Sequence, residues 1–274
     1  GEKLAVHAGR SRFTLATLPA AEFPSSDSGS DADRLTVSEE RLGWLLEKTS
    51  FAMANQDVRH YLNGLLMEFR SGMLRAVATD GHRLALAEAK APDGSAGLEG
   101  VIVPRKAVGE ARRLIDGLDG PVDIEISDTK IIVRAGRATL TSKLIDGSFP
   151  DYGRVIPKGN TRKLSIDNKA FEAAVDRVST VSAERSRSVK LSLSEGKLVL
   201  AVNHAETGVG NEELEAEYGD EPMEIGFNAK YLLDIAGQIE APEAEFMFND
   251  PASPALVLDP SDDSARYVLM PLRV

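Results

Sequence analysis

The sequence contains no cysteine, which excludes disulfides, thiolate metal ligands and a cysteine nucleophile. Histidine is also scarce, because the only imidazoles are those of His7, His60, His82 and His204. No stretch approaches the roughly 18 consecutive apolar residues that a membrane-spanning helix needs. The N-terminus shows no apolar run of the signal-peptide type. These absences favour a soluble, cytoplasmic chain that does not bind membranes.

Positive charge is in short supply as well. The chain has 32 Lys and Arg residues against 43 Asp and Glu residues, which gives a formal net charge of −11. A surface with this balance repels nucleic acid and anionic membranes as a whole. Any contact with DNA must therefore come from a local cluster of basic side chains.

What the sequence does contain is internal repetition. In its 274 residues, the segment Lys3–Arg10 recurs 127 positions later as Lys130–Arg137, and Phe23-Pro24 returns as Phe149-Pro150, 126 positions later. The hydrophobic content of 42% is sufficient for buried cores in each copy. Repetition at a fixed offset indicates duplicated supersecondary units.

A second pair of segments predicts two equivalent helices. Leu35–Ser38 and Leu164–Asp167 lie 129 positions apart, and each ends in a residue that is a good N-cap. The apolar positions that follow have helical spacing. They are Leu42, Leu45, Leu46 and Thr49 in the first copy, and Phe171, Ala174, Val175, Val178 and Val181 in the second.

Hairpin turns and a second helix complete each copy. Gly72 and Gly196 each separate two alternating, strand-like runs, as a hairpin turn does. A second helix is predicted to begin near Pro104 in one copy and near Asn228 in the other. The apolar face of the latter helix is formed by Leu232, Ile235, Ala236 and Ile239.

The predicted fold class is therefore α+β with mostly antiparallel sheets. We expect two complete domains, residues 34–158 and 159–274, preceded at 1–33 by the end of a third copy. Residues 25–33 and 157–160 have the composition of linkers. Because Lys3 corresponds to Lys130 and the complete copy begins near Leu35, about 95 residues are expected ahead of Lys3, of which two are present.

The motifs of common active sites are absent. The sequence has no G-x-S-x-G, no phosphate-binding G-x-x-x-x-G-K-[ST], no G-x-G-x-x-G and no pair of histidines four residues apart. Asp31 and Asp33 are better explained as a solvated charge run in a linker than as a cation site, and His204 as a loop histidine. We therefore predict no catalytic residue, no metal site and no cofactor.

A polar cluster interrupts two strand-like runs in Ala78–Ala85. Its simplest explanation is an Asp80-Gly81 turn that joins two strands. The alternative is a two-repeat hydrolase that uses Asp80 and His82 as acid and base at the junction of the copies. Such an enzyme also needs a nucleophile or metal opposite His82, and neither Phe149–Pro157 nor the C-terminal segment supplies one.

Basic residues concentrate around helices in both copies. They are Arg105, Lys106, Arg112 and Arg113 in one copy, and Lys169, Arg177, Arg185, Arg187 and Lys190 in the other. A concave surface lined in this way holds a phosphate backbone without base recognition. If these side chains do not share one interior, the alternative is a scaffold that binds peptides but not DNA.

Four segments together resemble the bacterial DNA polymerase III beta subunit family, the sliding clamps. They are Thr79–Ala85, Val103–Lys106, Phe149–Val155 and Tyr267–Val274, in the family's order, and the resemblance covers essentially the whole chain. It implies three equivalent domains per subunit, with sheets outside and two helices per domain lining the inner face. It also implies a head-to-tail homodimeric ring around duplex DNA, from which this chain departs by lacking most of the first domain.

The resemblance further implies a pocket between the second and third domains. This pocket receives linear peptides of the DNA polymerase III alpha subunit, the clamp loader, other polymerases and repair proteins. Apolar and adaptable Met side chains suit such a slot, and Arg154 and Arg273 suit carbonyl or carboxylate groups. The residues carried over from one copy are Leu62, Thr79, Gly81, His82, Arg83, Leu84, Pro150, Arg154 and Val155. The other copy supplies Asn228, Tyr231, Val268, Met270, Pro271, Leu272 and Arg273.

Contacts with DNA and with a second subunit are implied in the same way. Sequence-independent contact with double-stranded DNA is expected from Arg105, Lys106, Arg112 and Lys169, and from Arg59, His60 and Tyr61. The dimer contact is expected to join Phe13 and Leu15 of one subunit to Thr180 and Val181 of the other. The strand that carries Phe13 lacks the core on which it would pack, so this chain is expected to be mainly monomeric in dilute solution.

Overall fold

The structure, a computed structural model, describes residues 3–22, 32–182 and 188–273. Phe23-Pro24, Asp31, Arg185 and Arg187, which the sequence singled out, lie outside these ranges. The described residues form nineteen strands and four α-helices in antiparallel sheets. The α+β class is thereby confirmed.

An isolated hairpin comes first. It consists of β1 (Lys3–Ala8) and β2 (Ser11–Ala16), and every residue of both strands is exposed. Its larger apolar side chains are those of Leu4, Val6, Phe13 and Leu15. The hairpin therefore buries neither face against the part of the chain that the structure describes.

The first complete repeat consists of two halves, and each half contains one strand, one helix and three further strands in that order. Its first half is β3 (Asp33–Ser38), α1 (Glu39–Ser50), β4 (Gly64–Arg70), β5 (Met73–Thr79) and β6 (Arg83–Lys90). Its second half is β7 (Val101–Pro104), α2 (Arg105–Ile115), β8 (Pro121–Ile126), β9 (Lys130–Ala135) and β10 (Ala138–Lys143).

The second complete repeat follows the same order with one added short strand. Its first half is β11 (Arg162–Asp167), α3 (Asn168–Ser179), β12 (Ser188–Ser194), β13 (Lys197–His204), β14 (Gly208–Glu215) and the added β15 (Glu217–Tyr218). Its second half is β16 (Met223–Asn228), α4 (Ala229–Ala236), β17 (Glu243–Phe248), β18 (Ala255–Asp259) and β19 (Asp262–Leu269).

The two halves of each repeat exchange their first strands. β3 joins the sheet β8-β9-β10, and β7 joins β4-β5-β6. Likewise β11 pairs with β17, and β16 with β12. Because each half completes the sheet of the other, neither half has a finished sheet without its neighbour.

The helix starts follow the predicted caps. Ser38 and Asp167 each accept a backbone N–H of the first turn of α1 and α3 through their side-chain oxygens, which confirms both caps. Asn228, near which a helix was predicted to begin, caps α4 in the same way. Two predicted helical positions are wrong. α3 ends before Val181 and α4 before Ile239, although Ile239 remains buried just beyond the helix end.

The predicted hairpin glycines are confirmed. Gly72, between β4 and β5, has a φ of +74°, and Gly196, between β12 and β13, has a φ of +73°. A side chain is disfavoured at such angles, which explains glycine at both positions.

One nine-stranded sheet crosses the junction between the two complete repeats, because β19 pairs with β6 from Ala265 opposite Ala87 to Leu269 opposite Arg83. One core cluster contains side chains of all four helices together with Tyr267 of β19. A second apolar cluster lies on the other face of this sheet and includes Leu84 and Val268.

Two buried cations fasten the junction on the helix side. Lys48 Nζ in α1 donates to the Gln238 carbonyl at 2.6 Å and to Glu240 Oε1 at 2.7 Å. The Arg83 guanidinium, only 6% exposed, forms ion pairs with Asp80 at 3.1 Å and with Asp234 of α4 at 2.5 Å. Side chains of one repeat are thus neutralised by groups of the other.

Removing the Arg83 charge is expected to loosen this junction. Arg83→Met leaves Asp80 and Asp234 without their buried cation, and we expect the free energy of unfolding to fall by about 3 kcal/mol. Urea unfolding measures the loss. Arg154→Met is the matched control, because the Arg154 side chain is 87% exposed, and it should change stability by no more than about 0.5 kcal/mol. Equal losses in both variants would contradict the role assigned to Arg83.

Candidate functional site

The turn between β5 and β6 is shaped by its own side chains. Asp80 Oδ1 accepts the backbone N–H groups of His82 and Arg83 at 2.9 and 3.0 Å. Thr79 Oγ1 donates to the Arg83 carbonyl at 2.6 Å and accepts from Gly81 N at 3.0 Å. Asp80 is therefore occupied in holding a turn, as the simpler of the two interpretations expects.

A neighbouring loop supports this turn. A Cβ atom on Gly81, whose φ is +87°, would come within 3.1 Å of the Arg59 guanidinium. Arg59 in turn forms a two-bond ion pair with Asp57, and these hydrogen bonds lower the pKa of Asp57 to about 2. Arg59, which was predicted to contact DNA, thus lies against the turn that was predicted to line the pocket.

Aromatic rings cover the inner side of the turn. The Tyr231 ring lies 4.4 Å from the Arg83 guanidinium carbon, and the His82 ring is stacked with Tyr231 at a centroid distance of 6.4 Å. Burial raises the pKa of the Tyr231 hydroxyl. Arg83 also donates to the Phe51 carbonyl at 2.8 Å, so its guanidinium is already bound on all sides by groups of the protein.

The C-terminal segment is fixed beside the same turn. Met270 N donates to the His82 carbonyl at 2.9 Å, and Leu272 N donates to the Gly226 carbonyl at 2.8 Å. The segment that contains Pro271 therefore runs between the start of β6 and the end of β16. Met270 is 37% exposed, and Arg273 is exposed.

Below this segment lies the second apolar cluster. Leu84 and Val268 are opposite one another on β6 and β19, and both are buried. Partly buried side chains of the 149–156 connection, those of Phe149, Tyr152 and Ile156, pack against them. Because successive residues of a strand point to opposite faces, Leu84 belongs to this outer cluster whereas Arg83 faces the helices.

The remaining predicted pocket residues fall into three groups. Pro150, Arg154 and Val155 are exposed on the 149–156 connection, beside a cavity of about 240 Å³ that Arg154 and Val155 help to line. Leu62 is fully buried in a 3-10 turn, next to Tyr61, which packs on the outer cluster. Asn228 is half-buried, and its side chain caps α4.

The residues predicted to contact DNA divide between two places. Arg105 and Arg112 on α2 are exposed, although their guanidinium groups also donate to the Met53 carbonyl at 2.7 Å and to a serine at the end of α1 at 3.2 Å. Lys106 and Lys169 are exposed at the first turns of α2 and α3. His60 is exposed beside Arg59 and Tyr61, at the edge of the junction.

The helices do not carry equal charge. α1 presents Glu39, Glu40 and Glu47 against one exposed arginine, whereas α2 carries four basic side chains against one acidic one. On α3, Arg177 is paired with Glu212. Among the described residues, the unpaired basic side chains that the sequence singled out therefore lie mainly on α2 and at the start of α3.

The residues predicted at the dimer contact are accessible but separate. Phe13 and Leu15 are about half exposed on β2. Thr180 and Val181 follow α3, and the Val181 carbonyl accepts a hydrogen bond from Thr207. Val181 also packs on β14, where a Cβ on Gly210 would approach it to 3.0 Å.

Within residues 3–22, 32–182 and 188–273, no group of three or more His, Asp or Glu side chains is placed to hold a metal ion. The hydrolase alternative needed a metal or nucleophile opposite His82, and the ring of that histidine lies against Tyr231 instead. No helix of the described residues is long and apolar enough to cross a membrane.

Two sets of structural partners escaped sequence reasoning. One is Asp234, which neutralises Arg83 from 151 positions away. The other is Glu68 and Arg75, whose side chains bind the Tyr152 hydroxyl. The only sequence signal for the second set was the Asp-Tyr pair within Phe149–Val155. Nothing in that motif indicated which strands carry the partners of the tyrosine hydroxyl.

Comparisons with known proteins agree with this architecture. The family profile of the DNA polymerase III beta subunit central domain matches residues 36–151, and that of its C-terminal domain matches residues 153–273. The beta sliding clamp of Caulobacter vibrioides is 54% identical over 99% of this chain and 74% of its own length. That of Pseudomonas aeruginosa is 44% identical over 100% and 74%.

Solved structures give the same result. The crystal structure of the C. crescentus beta sliding clamp with bound PEG superimposes with a TM-score of 0.94 at 53% identity, over 99% of this chain and 74% of that one. The sliding clamp of Bartonella birtlesii bound to griselimycin gives 0.95 at 47% identity, with the same coverage. The predicted resemblance is confirmed: this chain belongs to the DNA polymerase III beta subunit family, the beta sliding clamps.

Proposed function

We propose that this DNA sliding clamp tethers its partners at the junction of its two complete repeats. The peptide-binding site would comprise the turn after β5, the 149–156 connection and the C-terminal segment. What supports it most is the exposure of Val155 and Met270 in segments that flank the buried Leu84 and Val268. Partners would be linear peptides of the DNA polymerase III alpha subunit, the clamp loader, other polymerases and repair proteins.

The chemistry of the site favours an extended peptide with apolar anchors. Burying two large apolar side chains contributes roughly 1.5–3 kcal/mol each, and ordering the peptide offsets part of this, so we expect micromolar affinity. Arg154 and Arg273 are exposed and suit peptide carbonyl or carboxylate groups, whereas Arg83 shapes the site from beneath. The protein would act in the cytoplasm as a binding protein, without catalysis and without a cofactor. Its domain boundaries would lie at 33/34 and 158/159.

Duplex DNA would contact the basic side chains of α2 and the start of α3. Arg105, Lys106, Arg112 and Lys169 are exposed there, and α1 packs on α2 as α3 packs on α4. Phosphates bind such a surface without regard to sequence. The acidic residues of α1 would confine the contact to a narrow track. His60 with Arg59 and Tyr61 would extend it toward the junction.

A homodimer would reuse the junction geometry. The hairpins β1-β2, β9-β10 and β18-β19 contain equivalent cross-strand pairs. These are Val6 with Phe13, Val133 with Leu140, and Val257 with Tyr267. β19 pairs with β6 through the edge that faces away from β18. The strand equivalent to β19 in the first hairpin is β2, and the strand equivalent to β6 in the second repeat is β14. In a homodimer, β2 of one subunit would therefore pair with β14 of the other.

The register of this contact follows from the junction. Tyr267 lies opposite Ala85, and Val268 opposite Leu84. The equivalent positions on β14 are Gly210 and Val209, of which Val209 is 61% exposed. Phe13 would therefore face Gly210, near Val181 and Thr180, and Thr14 would face Val209.

Peptide binding is tested by titrating a fluorescent clamp-binding peptide. Met270→Ala removes an apolar wall and Arg154→Ala a hydrogen-bond donor, and each should weaken binding about tenfold. Arg113→Ala, on the exposed side of α2, is the control and should bind like the unchanged protein. Equal affinities for all four proteins would remove the assignment of the site.

DNA binding should depend steeply on salt. Lys106→Ala and Lys169→Ala should each leave one phosphate without its cation, so the slope of log K against log salt should fall in magnitude by about one. Lys197→Ala, on β13 and paired with Glu213, is the control and should keep the original slope. A strong base preference, or binding that salt does not change, would contradict the proposal.

Disulfide trapping tests the dimer, and the absence of native cysteines removes any background. The 274-residue chain should be mainly monomeric by light scattering in dilute solution, because both strands of its first hairpin are exposed throughout. At high concentration, a mixture of Thr14→Cys and Val209→Cys proteins should crosslink. Ala5→Cys, across the hairpin from Thr14, should not crosslink with Val209→Cys. Equal yields would show that the register is wrong.

A further inference from the structure

A ladder of charged side chains crosses the outer face of the nine-stranded sheet. Arg75 on β5 lies opposite Glu68 on β4 and opposite Glu88 on β6. Its Nε is 2.8 Å from Glu88 Oε2, and its Nη1 is 3.9 Å from Glu68 Oε2. Glu88 Oε1 is 3.6 Å from Nη2 of Arg266 on β19. The ladder therefore extends across the junction.

Tyr152 joins this ladder to the apolar cluster beside it. Its ring is partly buried against the cluster that contains Leu84 and Val268. Its hydroxyl donates to Glu68 Oε2 at 2.5 Å and accepts from Arg75 Nη1 at 3.5 Å. Burial is the main cause that raises the pKa of Tyr152, and the hydrogen bond with Glu68 raises it further. The hydroxyl therefore keeps its proton at neutral pH.

Tyr152 also sets the path of Arg154 and Val155, which follow it and form an exposed wall of the proposed peptide site. Its carbonyl accepts the N–H groups of Val155 at 3.0 Å and Ile156 at 3.2 Å, which closes the 3-10 turn Tyr152–Arg154. The ion pair between Asp151 and Arg154 in this turn is mostly exposed and adds little rigidity. The ring and hydroxyl of Tyr152 therefore anchor the wall on its N-terminal side, and Ile156, packed on the same apolar cluster, anchors it on the other side.

We propose that Tyr152, held by Glu68 and Arg75, is a positioning residue for the peptide site. It fixes Arg154 and Val155 before a peptide arrives, so that binding does not have to order this wall. Because Arg75 shares Glu88 with Arg266, the wall is also aligned with β19, the strand that carries Val268 and leads into Met270. This inference rests on the proposed peptide-binding function.

The test compares peptide affinity and stability in matched variants. Tyr152→Phe keeps the buried ring and should weaken the fluorescent clamp-binding peptide about three- to tenfold. Glu68→Ala should do the same, whereas Glu68→Gln retains an acceptor and should bind within about twofold of the unchanged protein. The double variant Tyr152→Phe/Glu68→Ala should be no weaker than either single variant, because both act through one hydrogen bond.

Tyr218→Phe is the control for a merely structural effect. Tyr218 lies in β15, at the far side of the sheet from β4, and its hydroxyl donates to the Glu221 carbonyl at 2.7 Å. This change should lower stability toward urea as Tyr152→Phe does but leave peptide affinity unchanged. Equal losses of affinity in both variants, or additive losses in the double variant, would overturn the proposal. If Tyr152→Phe binds the peptide with full affinity while Met270→Ala binds it more weakly, the role of Tyr152 is overturned but the proposed peptide site still stands. No binding by the unchanged protein would reject both.

Discussion

The pairing of β19 with β6 is the constraint on which the rest of the molecule depends. Because strand residues alternate between faces, this single pairing places Leu84 and Val268 on the outer face and Arg83 and Tyr267 on the inner face. The outer pair becomes the floor of the proposed peptide site, and Arg83 becomes a buried bridge to Asp234. A slip of one residue would exchange the two sets and destroy both features.

The distribution of charge shows how a formal net charge of −11 is compatible with DNA binding. Ion pairs such as Glu212 with Arg177 and Glu88 with Arg75 remove as many basic as acidic charges, so what matters is where the unpaired charges lie. What remains on the inner side is acidic on α1 and basic on α2, with the first turn of α3 contributing Lys169. In the proposed function, a narrow basic track of this kind would hold a duplex weakly, which suits a protein that moves along DNA without pausing at particular sequences.

Sequence reasoning succeeded where the determinants are local and failed where they are distant. The caps at Ser38 and Asp167 and the turns at Gly72 and Gly196 were predictable, because each depends on a few adjacent residues. The exchange of first strands between half-repeats was not, because apolar alternation indicates a strand but does not specify its partner. Arg83 illustrates the same limit. The resemblance placed it among the pocket residues, but nothing in its motif indicated that Phe51 and Asp234, 32 and 151 positions away, would bind its guanidinium.

Duplication explains why one chain can present both halves of the same contact. β2 and β10 are equivalent to β19, the strand that offers an outer edge, and β14 is equivalent to β6, the strand that receives it. A contact between different surfaces of identical units is heterologous, and it repeats until the rotation between units closes a ring or fails to close. Exposed strand edges ordinarily promote aggregation. The proposed receiving positions on β14 are Gly210 and Val209, and position 210 is restricted from within the same chain, since a side chain there would meet Val181. In the proposed homodimer the register would therefore come from the equivalence of β14 with β6, and not from the packing at Gly210.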